Sequence, residues 1–555
     1  MAGGLLNIVS VGNNNQFLTG NPCKTFFKVT YSKYTNFGLQ KFRLDYSGLR
    51  ELRLKEQSVF SFKVGRYADL LMDTYLVVTL PDIWSPIWPP TTKTNGRWVP
   101  YDFRWIENIG SQIIEEIEIS CGSTLLQKYT GDYLAAMVER DFSESKKKLF
   151  HQMTGNVPEY TDPANSFGRF KAYPSASYTT SVLGSEPSLR GRNLYIPINT
   201  WFTLNSKCAF PLISLQYNEL IIKVTLRPIQ DLFVVRDPED PDNNYPYVRP
   251  DFTQDRFQMY RFLQTPPSTF LYSSDYSNQI ATWNADVHLI STYCFLSEEE
   301  IRKFTMQDQV YLIKDIYQYN FQNITGSKRI KVETNGMVSS WMWYLQRNDV
   351  KFRNEWSNYT NWPYNYLPVN VSLASVDIPP DVTLFDLSSG AGLHPTLTED
   401  TVNSGITITG DFQTVNRKEI LESFGILLNG EYRENMFHRG IYDYIEKYTR
   451  TPGNAKDGLY CYNFCLNTDP HEYQPSGALN MNKFKNIELE VNTYIPTIDM
   501  SNSELNIVCD LSGNPIGIRK SNFQLYDYNY NLILFEERYN VLSFIGGNCG
   551  MLYSR

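Results

Sequence analysis

Alternation of apolar and polar residues is strongest between residues 219 and 229. Leucine, isoleucine and valine occupy every second position there, and Lys223, Thr225 and Arg227 stand between them. This period of two is typical of a β-strand with one buried face. Pro228 ends the pattern, because proline has no amide hydrogen to donate to a neighbouring strand. The stretch predicts the wall of a β-sandwich or β-barrel.

Similar patterns recur along the chain and predict mostly strands. Alternating or continuous runs of apolar, β-branched and aromatic residues indicate strands at 25–34, 73–80, 105–119, 195–198, 201–204, 285–295, 330–333, 340–347, 406–412 and 487–494, with another around Phe270. One helix is predicted at 130–140, from a polar start with apolar residues on one side. A second helix is expected after Ser297, because Ser297 and Glu300 have the spacing of a capping box worth about 1 kcal/mol. The sequence therefore predicts an all-β protein with short helices.

Length and proline content indicate two domains. The chain has 555 residues, and single all-β domains commonly reach roughly 200 to 250 residues. Residues 236–256 are acidic and carry four prolines, so we place a linker there, between a first domain at 25–235 and a second at 257–555. The glycine- and asparagine-rich residues 1–24 are predicted to be a docking arm. A proline- and asparagine-rich insertion interrupts the second domain near residues 361–403.

Composition narrows the functional classes. The 39 Tyr, 32 Phe and 10 Trp residues favour pleated surfaces and wide contact interfaces. The net charge of -8 contains no long run of one sign, so direct binding of nucleic acid is not expected. No apolar run approaches the ~18 residues of a transmembrane segment, and the amino terminus lacks the basic start of a secretion signal. The eight scattered cysteines are expected to be free thiols in a reducing compartment.

Residue pairs with catalytic potential are few. Glu115 with Glu116, and Glu536 with Glu537, could act as the two carboxylates of a glycosidase. The preferred interpretation is that both pairs lie on solvated strand faces. The sequence also has no phosphate-binding glycine pattern. We therefore predict no catalytic residue and no cofactor-binding residue, and expect that the protein is not an enzyme.

One group of residues has the side-chain types of a metal site. Cys461, Cys465 and His471 could supply three zinc ligands. The spacing of the two cysteines in strand-like sequence indicates core positions instead, and the five histidines are far apart. No metal ligand is therefore predicted.

Three sequons for N-linked glycosylation begin at Asn323, Asn358 and Asn370. These residues are the candidate modification sites of the chain. Because no export signal is recognised, we expect secretory enzymes not to use them.

Several motifs together resemble one protein family. They are Leu-Thr-Gly-Asn-Pro with a following Thr-Phe-Phe-Lys-Val (18–29), Tyr-Ile-Pro, Trp-Phe and Pro-Leu-Ile-Ser-Leu-Gln-Tyr-Asn-Glu (195–219), Trp-Tyr-Leu-Gln-Arg-Asn-Asp with a later Trp-Ser-Asn-Tyr-Thr (343–360), Leu-Asn-Gly-Glu-Tyr-Arg (428–433), Gln-Pro-Ser-Gly (474–477) and Tyr-Asn-Val-Leu (539–542). In this order they resemble the major capsid proteins of large nucleocytoplasmic DNA viruses of algae and protists, of the phycodnavirus and mimivirus type. Departures lie mainly in the loops at 82–104, 154–192 and 361–403, so loop functions are not carried over.

The resemblance implies a double jelly roll, in which two consecutive eight-stranded antiparallel barrels stand side by side. It also implies a structural role. Three chains would form a homotrimeric capsomer of nearly hexagonal outline, and capsomers would tile the icosahedral outer shell of a virion assembled in the host cytoplasm. The implied partners are neighbouring capsomers, minor capsid and penton proteins, and surface glycans, with the amino-terminal arm beneath the capsomer.

One alternative class follows from the residues alone. A viral attachment protein that binds glycans, or a carbohydrate-active β-sandwich, stacks sugars on exposed aromatic side chains. Trp84, Trp88 and Trp98 are the candidates, because they lie in an aperiodic loop rich in proline. This alternative requires the three indoles to be exposed.

Overall fold

The computed structural model describes residues 2–48, 51–94, 96–169, 172–178, 184–240, 245, 247–361, 418–495, 507–509, 515–518 and 528–553. Its principal strands form four antiparallel sheets, two from each half of the chain. The sheets of each half face one another and enclose a core, as the alternating burial of their strands indicates.

The first half contributes eight principal strands. They are β1 Phe37–Leu44, β2 Ser58–Lys63, β3 Leu70–Leu80, β4 Ile114–Cys121, β5 Thr124–Tyr129, β6 Arg192–Pro197, β7 Leu220–Leu226 and β8 His288–Leu296. One sheet has the order β1-β8-β3-β6 and the other β2-β7-β4-β5, and all pairs are antiparallel. Two four-stranded sheets connected in this way form a jelly roll.

The second half repeats this plan. Its strands are β9 Gln309–Phe321, β10 Ser327–Lys331, β11 Met337–Arg347, β12 Leu421–Leu428, β13 Glu431–His438, β14 Leu459–Asn463, β15 Ile487–Thr493 and β16 Tyr530–Ile545. The sheet orders are β9-β16-β11-β14 and β10-β15-β12-β13. Counted from the first strand of each barrel, both halves have the same strand order in both sheets. The predicted fold class, two consecutive eight-stranded jelly rolls with short helices and long loop insertions, is confirmed.

Short elements decorate the barrels. The α-helices of the described residues are α1 Gly3–Val9, α2 Gln16–Thr19, α3 Ile109–Gln112, α4 Gly131–Asp141, α5 Glu144–Thr154, α6 Pro158–Thr161, α7 Trp201–Leu204, α8 Glu298–Met306 and α9 Glu446–Arg450. Further short strands are Ile87–Trp88, Val99–Pro100, Phe103–Trp105, Phe210–Pro211, Phe233–Arg236, Tyr247–Val248, Leu479–Asn480, Ile507–Cys509, Pro515–Ile518 and Asn548–Met551. Within the described ranges, no helix has the length and hydropathy to span a bilayer.

Local patterns explain the elements that were predicted correctly. Strand β7 alternates buried and partly buried residues, as its sequence indicates. Helix α4 begins at Thr130, whose Oγ1 accepts from the Tyr133 amide at 3.4 Å. Helix α8 begins directly after Ser297 as expected, but the Ser297 side chain makes no capping hydrogen bond. The predicted capping box is therefore wrong, although the helix start is right.

The position of the predicted linker is wrong. Phe233–Arg236 pairs with Tyr247–Val248, so part of residues 236–256 belongs to a small sheet. Strand β8 follows this region and lies between β1 and β3 in the first barrel. The first barrel is therefore completed at Leu296, beyond the expected domain at 25–235. The physical reason is that the closing strand of a jelly roll pairs with its opening strand, far away in sequence.

Three predicted strands are absent from the described residues, and a fourth prediction falls outside them. Residues 25–34 are exposed, with a bend at Phe26 and Phe27, and pair with no described strand. Trp201–Leu204 is the short helix α7, and the residues around Phe270 form turns. Aromatic and β-branched composition favours a strand only where a partner strand offers hydrogen bonds. The strand predicted at 406–412 lies outside the described residues.

Candidate functional site at the junction of the two barrels

The two barrels share an apolar junction. Strand β11 is buried on both faces, because Trp343 points into the second barrel while Met342 and Tyr344 belong to a core shared with the first barrel. Phe535 on β16 joins the shared layer, and its ring centroid lies 5.6 Å from that of Tyr133 in α4. The outer face of the β9-β16-β11 sheet is thus covered by the first barrel.

Hydrogen bonds fix strand β9 beside the end of β5. Gln127 Nε2 donates to the Lys314 carbonyl at 3.1 Å. Thr130 Oγ1 donates to Gln318 Oε1 at 3.0 Å. Both bonds join the first barrel to the second. They therefore fix the position of β9 relative to β5 along the strand direction.

A buried ion cluster lies inside the junction. Arg140, near the end of α4, is 1% exposed. Its Nε and Nη2 donate to the two oxygens of Asp141 at 2.8 and 2.7 Å, and Nη2 also donates to Glu537 Oε1 at 2.6 Å. Ser340 Oγ accepts from Arg140 Nη1 at 3.2 Å and donates to Glu537 Oε2 at 2.9 Å. Since Glu537 and Ser340 belong to the second barrel, charge-assisted hydrogen bonds join the barrels.

Further donors complete the cluster. Tyr133 OH donates to Glu537 Oε1 at 2.9 Å, and Thr468 Oγ1 donates to Asp141 Oδ1 at 2.6 Å. Lys314 Nζ lies 3.9 Å from Glu537 Oε2. The carboxylates are buried, and each of their oxygens accepts at least one hydrogen bond. The arrangement is suited to holding two barrels together.

Burial and charge act in opposite directions on the two carboxyl groups. Burial raises the pKa of Glu537, but the charges of Arg140 and Lys314 outweigh it and lower the pKa to about 2. Burial dominates at Asp141 and raises its pKa, although Arg140 opposes that shift. Glu537 is therefore the carboxylate that balances the charge of Arg140 over the widest pH range.

Glu536 points to the opposite face of β16, into the second barrel. Trp341 Nε1 donates to its Oε2 at 2.6 Å, and Thr334 Oγ1 donates to its Oε1 at 2.7 Å. Arg538 forms an ion pair with the same carboxylate. Glu536 and Glu537 are 0% and 3% exposed, so their interpretation as residues of a solvated strand face is wrong. Adjacent residues of a strand face opposite sides, and each carboxylate here serves a different buried layer.

The other acidic pair has a different environment. Glu115 and Glu116 are partly exposed, and they form ion pairs with Arg227 and Lys128 at 3.2 and 2.7 Å. In sequence the two pairs look alike, since both are adjacent glutamates beside apolar strand residues. A buried cation alone does not separate them, since Arg227 is itself 8% exposed. Glu537 differs because its partner Arg140 comes from the other barrel, and sequence spacing does not connect Arg140 to β16.

The segment after β11 returns to the first barrel and strengthens the junction. Trp356 Nε1 donates to the Asp231 carbonyl at 3.0 Å, and Asn354 Nδ2 donates to the Phe233 carbonyl at 2.9 Å. The Arg227 guanidinium lies 4.3 Å from the Trp356 ring centroid, in a cation–π contact. This segment carries part of the motif on which the family resemblance rests.

The two sequons within the described residues differ in accessibility. Asn323 is exposed, two residues after β9. Asn358 is 4% exposed, its Nδ2 donates to Glu355 Oε2 at 3.3 Å, and its Oδ1 accepts from the Thr360 amide at 3.0 Å. The side-chain amide of Asn358 is thus buried and hydrogen-bonded in the folded chain. Asn370 lies outside the described residues.

The candidate tryptophans do not form a platform for sugars. Trp98 is 50% exposed, whereas Trp88 is 9% exposed and its ring packs against Tyr101 at 5.1 Å. Trp84 is half-buried. The three indoles are therefore not exposed together, and the condition for the glycan-stacking alternative is not met.

Cys461 and Cys465 are both buried. Cys461 lies on β14, with its Sγ 4.0 Å from the Tyr442 carbonyl oxygen. His471 Nδ1 lies 3.0 Å from Asp469 Oδ1. Within the described part of the chain, no group of three or more His, Cys, Asp or Glu residues is arranged to hold a metal ion.

The amino-terminal segment lies outside both cores. Phe17, Phe26 and Phe27 are 93%, 87% and 98% exposed, and α1 has no buried residue. This exposed segment continues past the predicted arm at 1–24 as far as the start of β1.

Two jelly rolls of one topology, joined through a buried junction, define the double jelly-roll class of β proteins. The fold is similar to the Paramecium bursaria Chlorella virus 1 (PBCV-1) capsid in its quasi-atomic model, with a TM-score of 0.58 and 18% identity over 96% of this chain and 100% of that chain. The Faustovirus major capsid protein gives a TM-score of 0.58 with 11% identity over 93% of this chain and 92% of that chain. At these identities the likeness concerns the fold.

Two family models cover most of the chain. The model for the major capsid protein N-terminus matches residues 25–261, and the model for the large eukaryotic DNA virus major capsid protein matches residues 300–550. The chain belongs to the family of large eukaryotic DNA virus major capsid proteins, which confirms the resemblance of its motifs. A major capsid protein of Phaeocystis pouchetii virus is 24% identical over an alignment of 599 residues that covers 100% of both chains.

Proposed function

We propose that this protein is the major capsid protein of a large DNA virus and builds the outer shell of the virion. Three copies form a capsomer of nearly hexagonal outline, and capsomers tile an icosahedral shell that is assembled in the host cytoplasm. Family membership supports the structural role. The trimer is supported by a feature of the fold, since the junction inside the chain has an open counterpart on each barrel.

Those open counterparts can be named from the strand order. Within the chain, β5 and α4 of the first barrel cover the outer face of the β9-β16-β11 sheet. In the second barrel the same positions are taken by β13 and residues 441–450, where Tyr444 and Tyr448 are 61% and 92% exposed. In the first barrel the equivalent sheet is β1-β8-β3, and Phe37 and Leu39 on β1 are 52% and 53% exposed. Both counterparts of the internal junction thus carry exposed apolar or aromatic side chains.

Joining these two surfaces between chains repeats the internal junction. Each chain then offers its second barrel to the first barrel of the next chain. Three chains contribute six barrels of one topology, and a head-to-tail contact of this kind can close into a ring. The nearly hexagonal outline follows from six similar barrels around a threefold axis.

In the shell, each capsomer contacts several neighbours. Weak lateral contacts act together because all of them belong to one rigid tile, and the combined affinity exceeds that of any single contact. Minor capsid and penton proteins are further partners in this proposal, and the amino-terminal arm is their docking segment. The exposed Phe17 lies in that arm, and the exposed Phe26 and Phe27 follow directly after it, so the segment has apolar side chains to bury. Surface glycans, if present, attach at the exposed Asn323.

Light scattering on the purified full-length protein tests the trimer. We expect a mass of three times the 64.4 kDa of one chain. A stable monomer at micromolar concentration in mild salt would contradict the proposal.

Substitutions on the open surfaces test the interface itself. Tyr444→Ser combined with Tyr448→Ser is expected to shift the protein towards monomer without lowering its thermal midpoint as a monomer, because both side chains are exposed in the isolated chain. Phe167→Ser is the matched control, an aromatic that is 74% exposed in the loop between α6 and β6. If trimers of the control and of the double variant dissociate to the same extent, this surface is not part of the interface.

Deletion of residues 2–20 tests whether the barrels alone form the trimer and the arm acts only in shell assembly. Trimers should form as in the full chain, while assembly into shells is impaired. Loss of the trimers themselves would show that the arm belongs to the capsomer interface.

A further inference from the structure

Two cysteines from distant parts of the sequence meet at the junction. Cys121 is the last residue of β4 in the first barrel, and Cys549 lies in Asn548–Met551, the short strand that pairs with the end of β16. The two residues are 0% and 6% exposed and belong to one apolar core. Each thiol has the largest single influence on the pKa of the other, and both are free.

Contacts on either side keep the two cysteines adjacent. The Gln216 amide donates to the Gly547 carbonyl at 2.9 Å, and Asn218 Nδ2 donates to Asn548 Oδ1 at 3.2 Å. Asn218 also packs against Gly122, where an added Cβ would lie 2.7 Å from Asn218 Oδ1. The residues next to both cysteines are therefore tied to the same short loop before β7. The strand that carries Cys549 also packs along β5.

We propose that Cys121 and Cys549 form an intrachain disulfide that fastens the carboxyl-terminal strand to the first barrel when the protein meets a low-molecular-weight disulfide. The Cys121 thiolate attacks one sulfur of the small disulfide, and the other sulfur leaves as a thiolate that takes up the proton lost by Cys121. The Cys549 thiolate then attacks the Cys121 sulfur of this mixed disulfide, and the second small thiol leaves with the proton of Cys549. Two protein thiols are oxidised, and the small disulfide is reduced to two thiols.

The environment assigns the order of the two steps. The Cys549 thiol lowers the pKa of Cys121, burial opposes this shift, and the charge of Arg66 adds to it. The pKa of Cys549 is raised by the Cys121 thiol and by burial. The thiolate is the reactive form of cysteine, so Cys121 attacks first. Because both sulfurs are buried, the carboxyl-terminal strand has to open locally before the small disulfide can enter.

The compartment controls the bond. In surroundings with an excess of small thiols the pair stays reduced, and in oxidising surroundings the disulfide persists. A chain folded in a reducing compartment would therefore gain the covalent tether only after leaving it.

Oxidised glutathione is the probe for the test, applied to the full-length Cys23→Ser protein. Cys23 is exposed and would otherwise link separate molecules. After oxidation and blocking of the remaining thiols, we expect peptide mapping to recover the Cys121 and Cys549 peptides joined by a disulfide. The joined chain should also migrate faster on a non-reducing gel, and dithiothreitol should reverse both results.

Cys549→Ser in the same background should abolish the linked peptides and the faster migration. Cys461→Ser is the matched control, a buried cysteine on β14, and it should leave both results unchanged. Recovery of Cys121 and Cys549 as separately blocked thiols after prolonged oxidation would overturn the proposal, as would linkage of either one mainly to another cysteine. The Cys23→Ser protein retains both cysteines, so its peptide map tests the disulfide even if the Cys549→Ser variant fails to fold.

Discussion

Replacement of Arg140 by methionine probes the buried cluster directly. Methionine keeps much of the side-chain length but has no charge and no donor. The change removes the hydrogen bonds from Arg140 to Asp141, Glu537 and Ser340, which measure between 2.6 and 3.2 Å. Two carboxyl groups then remain buried with no guanidinium between them, and each must be desolvated without its main counter-charge.

Two estimates of the cost agree in size. Removing one partner of a buried ion pair costs about 3–5 kcal/mol, because the other charge stays buried. The lowering of the Glu537 pKa from 4.5 to about 2 corresponds to about 3 kcal/mol of favourable interaction with the charged form. Lys314 supplies part of that interaction, and Asp141 can become protonated. We therefore expect Arg140→Met to lower the free energy of unfolding by about 3 kcal/mol.

Urea unfolding combined with amide hydrogen exchange in β11 and β16 measures this loss. Arg43→Met is the matched control, because Arg43 is 49% exposed and forms ion pairs with Asp45 and Asp286 on the surface. Its effect should stay within about 1 kcal/mol. Adding Glu537→Gln to Arg140→Met should cost much less than adding it to the wild type, since the interaction is already lost. Equal costs in both backgrounds, or a loss below about 1 kcal/mol for Arg140→Met, would refute the reasoning.

Acidification should lower the thermal midpoint of the wild type as the pH falls from 4.5 towards 2, because Glu537 has a lowered folded-state pKa and stabilises the fold above its unfolded pKa. Glu537→Gln should flatten this part of the profile, whereas Asp141→Asn should steepen the profile at pH values above about 3.8, since the raised pKa of Asp141 gives a contribution of opposite sign there. Gly131→Ala should destabilise the chain by about 1–3 kcal/mol in urea unfolding, because its Cβ would lie 2.0 Å from the Ser111 carbonyl oxygen; a neutral effect would contradict that close approach. Ser297→Ala should change the free energy of unfolding by less than about 0.5 kcal/mol, since no capping hydrogen bond is lost. A loss of about 1 kcal/mol would show that Ser297 does cap the helix.

Features that depend on neighbouring residues were predictable from the sequence. The alternation at residues 219–229 identified β7, and the polar start at Thr130 identified α4. Burial on one face of a strand or helix imposes a period on the sequence itself, so no knowledge of distant residues is needed. The double jelly roll was predicted from motif order, which carries information on the whole chain.

Features that depend on distant pairing were not predictable in the same way. An acidic, proline-rich stretch at 236–256 has the composition of a linker, yet β8 still had to return and pair with β1 and β3. Residues 25–34 have the composition of a strand but lack a partner among the described strands. Composition reports what a segment can form, and tertiary pairing decides what it does form.

The candidate site was missed for a related reason. Glu537 and Arg140 are 397 positions apart, and no local pattern links them. Adjacent glutamates are mostly exposed in proteins, because an unpaired buried carboxylate is costly. That expectation fails here because a cation is buried with each glutamate, Arg140 of the other barrel with Glu537 and Arg538 of the same strand with Glu536.

The buried cluster also bears on how a capsomer could close. An apolar face alone tolerates small shifts between two barrels, whereas a displaced ion pair leaves charges buried without partners. We infer that Arg140, Asp141 and Glu537 set the angle between the barrels, and that this angle matters because an error at each junction would add up around the proposed ring of six barrels. The triple variant Arg140→Met, Asp141→Asn, Glu537→Gln removes every charge of that triad together, so it should lose less stability than Arg140→Met alone. Its trimers should nevertheless vary more in outline, which electron microscopy of single particles can measure. Trimers of the triple variant as uniform as those of the wild type would show that the apolar contacts set the angle without the charges.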